Sequence, residues 1–145
     1  MTNENASTAP KTPWHLWVVG VLALLWNAAG AYTIMMAQAG KLADLTADEV
    51  AYYAAQPLWF VVVTDIALLG AVAGAAALLL RHRVAVALFA VSLAAIIVTD
   101  VYDLASGSSR MLVSTGAMIA TLVIFMLAVL ELVYARALRP SGVLR

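Results

Sequence analysis

The chain has 145 residues, of which 65% are apolar and 11% charged, and it contains no cysteine. Soluble domains run near half apolar and a quarter charged, so this excess excludes an ordinary soluble domain and fits four bilayer crossings of about 20 residues each. Eight Lys and Arg balance eight Asp and Glu, which excludes a basic field for nucleic acid, and the lack of thiols excludes disulfides, thiolate metal sites and thiol catalysis.

Residues 1–13 are polar, small and proline-punctuated, and are expected to form a disordered cytoplasmic tail. Residues 14–39 are apolar apart from His15, Asn27, Tyr32, Thr33 and Gln38, enough for a first span. Ala37-Gln38-Ala39 has the small-x-small pattern of a signal cleavage site, but the apolar stretch is longer than the usual run of about 7–15 residues. Residues 40–56 carry Lys41, Asp44, Asp48 and Glu49 and are too polar to cross. Within them Thr46-Ala47-Asp48-Glu49 has the capping-box spacing that opens a helix through Tyr53 or Ala54. Its Val50, Tyr52 and Tyr53 place it at the membrane interface. Pro57 suits the first turn of a second span over 57–80, because its missing amide proton costs nothing there. Arg81-His82-Arg83 is short enough to force an antiparallel hairpin into a third span over 84–104. Ser106-Gly107-Ser108-Ser109 is a turn cluster, and 111–135 forms a fourth span closed by Arg136, Arg139, Pro140 and Gly142. Residues 140–145 are left as a second tail. The expected fold is all-α: a polytopic membrane domain over 14–139, an antiparallel bundle of four transmembrane helices with one short interfacial helix.

Orientation follows from the cations. Lys11, Arg81, Arg83, Arg136, Arg139 and Arg145 fall on one side, and Lys41 and Arg110 on the other. The positive-inside rule then puts both termini in the cytoplasm. Trp14, Trp17 and Tyr134 fall at the inner boundary and Tyr52, Tyr53 and Trp59 at the outer one, as interfacial aromatics should.

Polar groups inside hydrocarbon must be satisfied, so intramembrane polar residues are the first functional candidates. Here they are Asn27, Asp65, Asp100 and Asp103. At about 1.5 Å per residue Asn27 lies roughly 20 Å from the inner end of its helix and Asp65 roughly 12 Å from the outer end of its own. All four fall in the outer half, where three helices can present them to one outward-opening pocket. Asp65, the deepest carboxylate, has no cation within a helical turn; it is either a proton-coupling or solute-binding group, or a neutral acid tying two helices, with Asn27 as its expected neighbour. Asp100 and Asp103 share a helix face. They either serve that pocket or reach headgroup water, and Arg110 is the expected ion partner.

Glu131 is near in depth to Arg81, Arg83 and Arg136, which suggests a cytoplasmic ion network. His15 and His82 at the inner boundary invite a paired haem site, but axial ligands project from well inside helices, so no cofactor and no metal is expected. Val63-Thr64-Asp65-Ile66 and Val98-Thr99-Asp100-Val101 form a weak echo of an inverted repeat. No serine-histidine-acid set or phosphate loop is present, and no enzyme activity is expected. Gly20, Ala23, Asn27 and Gly30 share one face of the first span, and Gly70 with Gly74 forms a small-xxx-small motif roughly opposite Asp65. With Asp65 facing inward, that pair faces outward toward a second copy or a partner helix.

The run Trp14-His15-Leu16-Trp17-Val18-Val19-Gly20, with Leu25-Trp26-Asn27 and Gly30-Ala31-Tyr32, resembles a family of small bacterial four-helix inner-membrane proteins often labelled "sugar transporter". Leu45-Thr46-Ala47-Asp48-Glu49 with Ala51-Tyr52-Tyr53 and Pro57 looks like that family's first external loop, and Tyr134-Ala135-Arg136-Ala137 like its close. The resemblance implies an inner-membrane carrier for a sugar or other small solute. Asn27, Asp65, Asp100 and Asp103 then supply hydrogen bonds, and Trp26, Tyr32, Trp59 and Tyr102 supply ring contacts. Relatives carry an acid soon after the Gly-Ala-aromatic step, where this chain has Thr33. The alternative is a non-catalytic accessory subunit packing against a larger membrane complex, in which the polar residues only fix helix register.

Overall fold

A backbone in hydrocarbon must satisfy every N–H and C=O within its own segment, and the four apolar runs do so as helices. The computed structural model describes residues 12–108 and 115–144, with no side-chain description for 115–117. The expected tail before residue 12, Arg110, Arg145 and the first four residues of the expected fourth span lie outside the described residues. In chain order the helices are α1 (Trp14–Gln38), α2 (Ala47–Ala55), α3 (Leu58–Leu79), α4 (Val84–Ser106) and α5 (Thr115–Leu138). α1, α3, α4 and α5 are each long and apolar enough to cross a membrane. The chain is therefore an all-helical, multi-pass membrane protein, as its hydropathy predicts.

The ends are set by backbone chemistry more than by hydropathy. α1 closes on Gly40 at φ 64°, with the amides of Gly40 and Lys41 bonded back to the carbonyls of Ala37 and Met36. α3 closes the same way on Arg81 at φ 59°, a left-handed conformation that a side chain rarely adopts. The amides of Arg81 and His82 reach the carbonyls of Leu78 and Ala77, which makes the three-residue hairpin possible. α4 continues past residue 104 to Ser106, because Gly107 at φ 77° is the first residue to break it. α5 passes residue 135 and runs to Leu138, since nothing before Pro140 interrupts its hydrogen bonding.

α3 is the central helix: it packs most extensively on α4, next on α1, while α5 packs mainly on α4. Two glycines allow these approaches. A Cβ at Gly20 would lie 2.5 Å from the side chain of Leu79, and one at Gly74 would lie 2.9 Å from the Phe89 ring. Gly70 faces the same neighbour, with Ser92 Cβ 3.4 Å from where its own Cβ would be, and Ser92 Oγ donates to the Ala67 carbonyl at 2.7 Å. Gly70 and Gly74 therefore belong to the α3–α4 contact inside the bundle and do not form an outward face for a second copy. Gly30 has nothing within 4 Å of its would-be Cβ and is not a contact residue; Ala31 beside it is the buried one.

Residues 140–145, expected as a tail, fold back where they are described. Val143 and Leu144 are buried in the core cluster that holds Leu16, Leu78 and Ala85. Their carbonyls accept hydrogen bonds from Arg81 Nε at 3.1 Å and Arg83 Nε at 3.2 Å. The hairpin cations thus clasp the end of the chain and take no part in a network with Glu131.

Candidate functional site

Eight of the nine residues of α2 are polar, aromatic or small, suited to the bundle end, and its start is fixed by the box the sequence predicts. Glu49 N donates to Thr46 Oγ1 at 3.3 Å, while Thr46 N and Thr46 Oγ1 both donate to Glu49 Oε2 at 2.8 Å. These bonds hold the Glu49 carboxyl below its ordinary 4.5. The buried Tyr52 then donates its hydroxyl to Asp103 Oδ2 at 2.6 Å and ties α2 to α4. Burial, reinforced by Asp103, pushes the Tyr52 phenol above its usual range; burial and the charge of Glu49 do the same for Tyr53. Both phenols stay protonated donors at neutral pH.

Under this roof lies a cavity of about 620 Å³ bounded by all four spans. α1 contributes Asn27, Ile34 and Gln38, spaced seven and four apart and so on one helical face. α3 contributes Thr64, Leu68 and Ala71, α4 contributes Ile96, Thr99, Asp100 and Asp103, and α5 contributes Thr121, Ile124, Ala128 and Glu131. Asn27 Nδ2 donates to Glu131 Oε1 at 2.8 Å, joining the first span to the last. Five acids line the cavity (Asp48, Glu49, Asp100, Asp103 and Glu131), and none of the described lining residues is Lys, Arg or His. Four of its polar atoms are wholly buried without a hydrogen-bond partner: Gln38 Nε2, Gln56 Oε1, Thr64 Oγ1 and Asp103 Oδ1. Three of these are acceptors when Thr64 uses its lone pairs, so the wall has spare capacity for a donor.

The sequence-predicted residues divide clearly. Trp26, Asn27, Asp100 and Asp103 line the cavity. Asp65 does not: it lies one helical step off the face that Thr64, Leu68 and Ala71 present, and its buried Oδ1 has no partner among the described residues. The expected Asn27–Asp65 neighbourhood is replaced by Asn27–Glu131. Tyr32 is 66% exposed on the outer flank of α1. Trp59 and Tyr102 pack on each other, ring centroids 4.7 Å apart and edge to face, and neither lines the cavity. Arg81, Arg83, Glu131 and Arg136 do not assemble: Glu131 lies seven residues inside the end of α5, about 10 Å up the helix, and Arg136 is exposed.

The histidines are likewise apart in role. His15 Nδ1 lies 2.6 Å from Tyr134 Oη, and His82 Nδ1 accepts from Val84 N at 3.3 Å in the hairpin. Among the described residues no three His, Cys, Asp or Glu side chains gather as a metal site. Cavity residues that the sequence does not mark as such are Gln38, Gln56, Thr64, Thr99 and Glu131, the last expected in an ion network with Arg81, Arg83 and Arg136. Gln38 had a signal, its helical register with Asn27; Glu131 had none, since depth alone put it with the arginines.

Compared with known proteins, the chain matches no family model, no curated protein and no solved structure.

Proposed function

We propose that this protein is a small carrier of the bacterial inner membrane, with both termini in the cytoplasm, that binds a donor-rich solute such as a polyol or an amine in the cavity beneath α2. The observation that carries this reading is the cavity itself, large enough for a small solute, with carboxylates, amides and hydroxyls set into an otherwise apolar wall. Its buried polar atoms without hydrogen-bond partners are costly to keep unless something in the cavity satisfies them. The resemblance to proteins labelled sugar transporters points the same way, and the role is binding and passage without catalysis.

Protein in lipid nanodiscs should show saturable heat of binding with either glucose or methylammonium as probe. Asp100→Asn with Asp103→Asn should weaken that binding by tenfold or more, the scale of losing hydrogen bonds to charged acceptors. Asp65→Asn should leave it unchanged. No saturable binding of either probe by a folded protein would overturn the reading. Single cysteines test the orientation: one at Lys41 should label from outside intact cells, and one at Ser141 should be protected.

A further inference from the structure

The seam between α1 and α5 is closed at two polar rungs, His15 with Tyr134 and Asn27 with Glu131. Along this seam runs an apolar groove of about 490 Å³, walled by Val19, Leu22, Ala23 and Trp26 of α1 and by Leu127, Leu130, Glu131 and Tyr134 of α5, about 10 Å of each helix. Trp26, Leu127 and Glu131 line both this groove and the polar cavity, so the two spaces adjoin at one carboxyl and one indole.

We propose that groove and cavity together hold one ligand, a single-chain alkylammonium amphiphile, with its ammonium head at Glu131, where the two spaces adjoin, and its chain between α1 and α5. The assignment rests on the reading of the cavity as a solute site and adds the chemical class. Charge complementarity selects the head: five acids and unpaired acceptors line the cavity, with no cation among the described lining residues. The same wall repels a phosphate, which excludes a phospholipid. Trp26 at the junction offers an indole face to the head as it passes. The groove selects the tail, since a sugar or a short amine makes no use of an apolar slot adjoining its site.

The test uses the full chain in nanodiscs with one tryptophan retained, either Trp26 (W14F, W17F, W59F) or Trp59 (W14F, W17F, W26F), and dodecylammonium brominated at mid-chain as the quencher. Trp26 should be quenched saturably at a concentration at least tenfold below that needed for Trp59, and mid-chain-brominated dodecanol should need about tenfold more than the amine. Glu131→Gln should erase the difference between amine and alcohol. Ala23→Phe, which fills the groove, should remove the quenching but leave binding of methylammonium. Equal quenching of Trp26 and Trp59, or equal action of amine and alcohol on the protein with Glu131 intact, overturns the amphiphile. If methylammonium still binds in that case, the cavity remains a solute site; if it also fails to bind, both readings fall.

Discussion

Asn27 and Glu131, 104 residues apart in sequence, meet through a 2.8 Å hydrogen bond that joins the first span to the last. It is the deeper of the two rungs on the seam between α1 and α5, helices that otherwise touch little. A double-mutant cycle with Asn27→Leu and Glu131→Leu should give a coupling of about 0.6–1.7 kcal/mol, the range of interhelical hydrogen bonds in bundles. Unfolding in mixed micelles measures it. Strict additivity would mean that the bond contributes nothing to holding the seam.

The glycines differ in what they tolerate. Gly74→Leu and Gly20→Leu force a side chain into Phe89 and Leu79 respectively, and each should cost about 1–3 kcal/mol by overpacking. Gly30→Ala meets open space and should be neutral or slightly stabilising, as expected for glycine replaced in a helix. Thermal unfolding in detergent ranks the three. Equal loss at all three positions would contradict the packing order described above.

Arg81 combines a strained backbone with a useful side chain. Arg81→Gly relieves the left-handed conformation but loses the bond to Val143, whereas Arg81→Ala loses the bond and keeps the strain. Arg81→Ala should therefore be the less stable of the two by about 1 kcal/mol. Asn at this position, which also tolerates positive φ, should fall between them.

The start of α2 should respond to acid. The Glu49 pKa is depressed when folded, because Thr46 donates to the carboxylate. Its contribution is complete above the ordinary value of 4.5 and is lost as pH falls through the lower folded value. Amide exchange in α2, corrected for intrinsic rate, should accelerate between about pH 5 and pH 3. Glu49→Gln should flatten that dependence, while Glu131→Gln should not.

Much of this architecture is legible in the chain because hydrocarbon leaves few choices. Long apolar runs must be helices, Thr46 and Glu49 announce a helix start by spacing alone, and Arg81-His82-Arg83 is too short for anything but a hairpin. Which face of a span turns inward was not legible, because every face is apolar. Asp65 and the pair Gly70 and Gly74 take their expected faces only from one another, and the packing of Gly74 on Phe89 reverses that expectation. Depth alone groups Glu131 with the nearest cations, but Arg81 and Arg83 are already engaged by backbone carbonyls from residues 143 and 144. A carbonyl carries no residue-type signature, so no sequence pattern marks that competition.

The buried end of the chain sets an order of events during synthesis. The tight hairpin of α3 and α4 can pair as soon as both helices have emerged into the bilayer. The hairpin end of the bundle can close only after Val143 and Leu144 have left the ribosome, because their carbonyls are what the hairpin arginines grip. Until then Leu16, Leu78 and Ala85 lack part of their cover, and the nascent protein is vulnerable at this end to quality-control proteases.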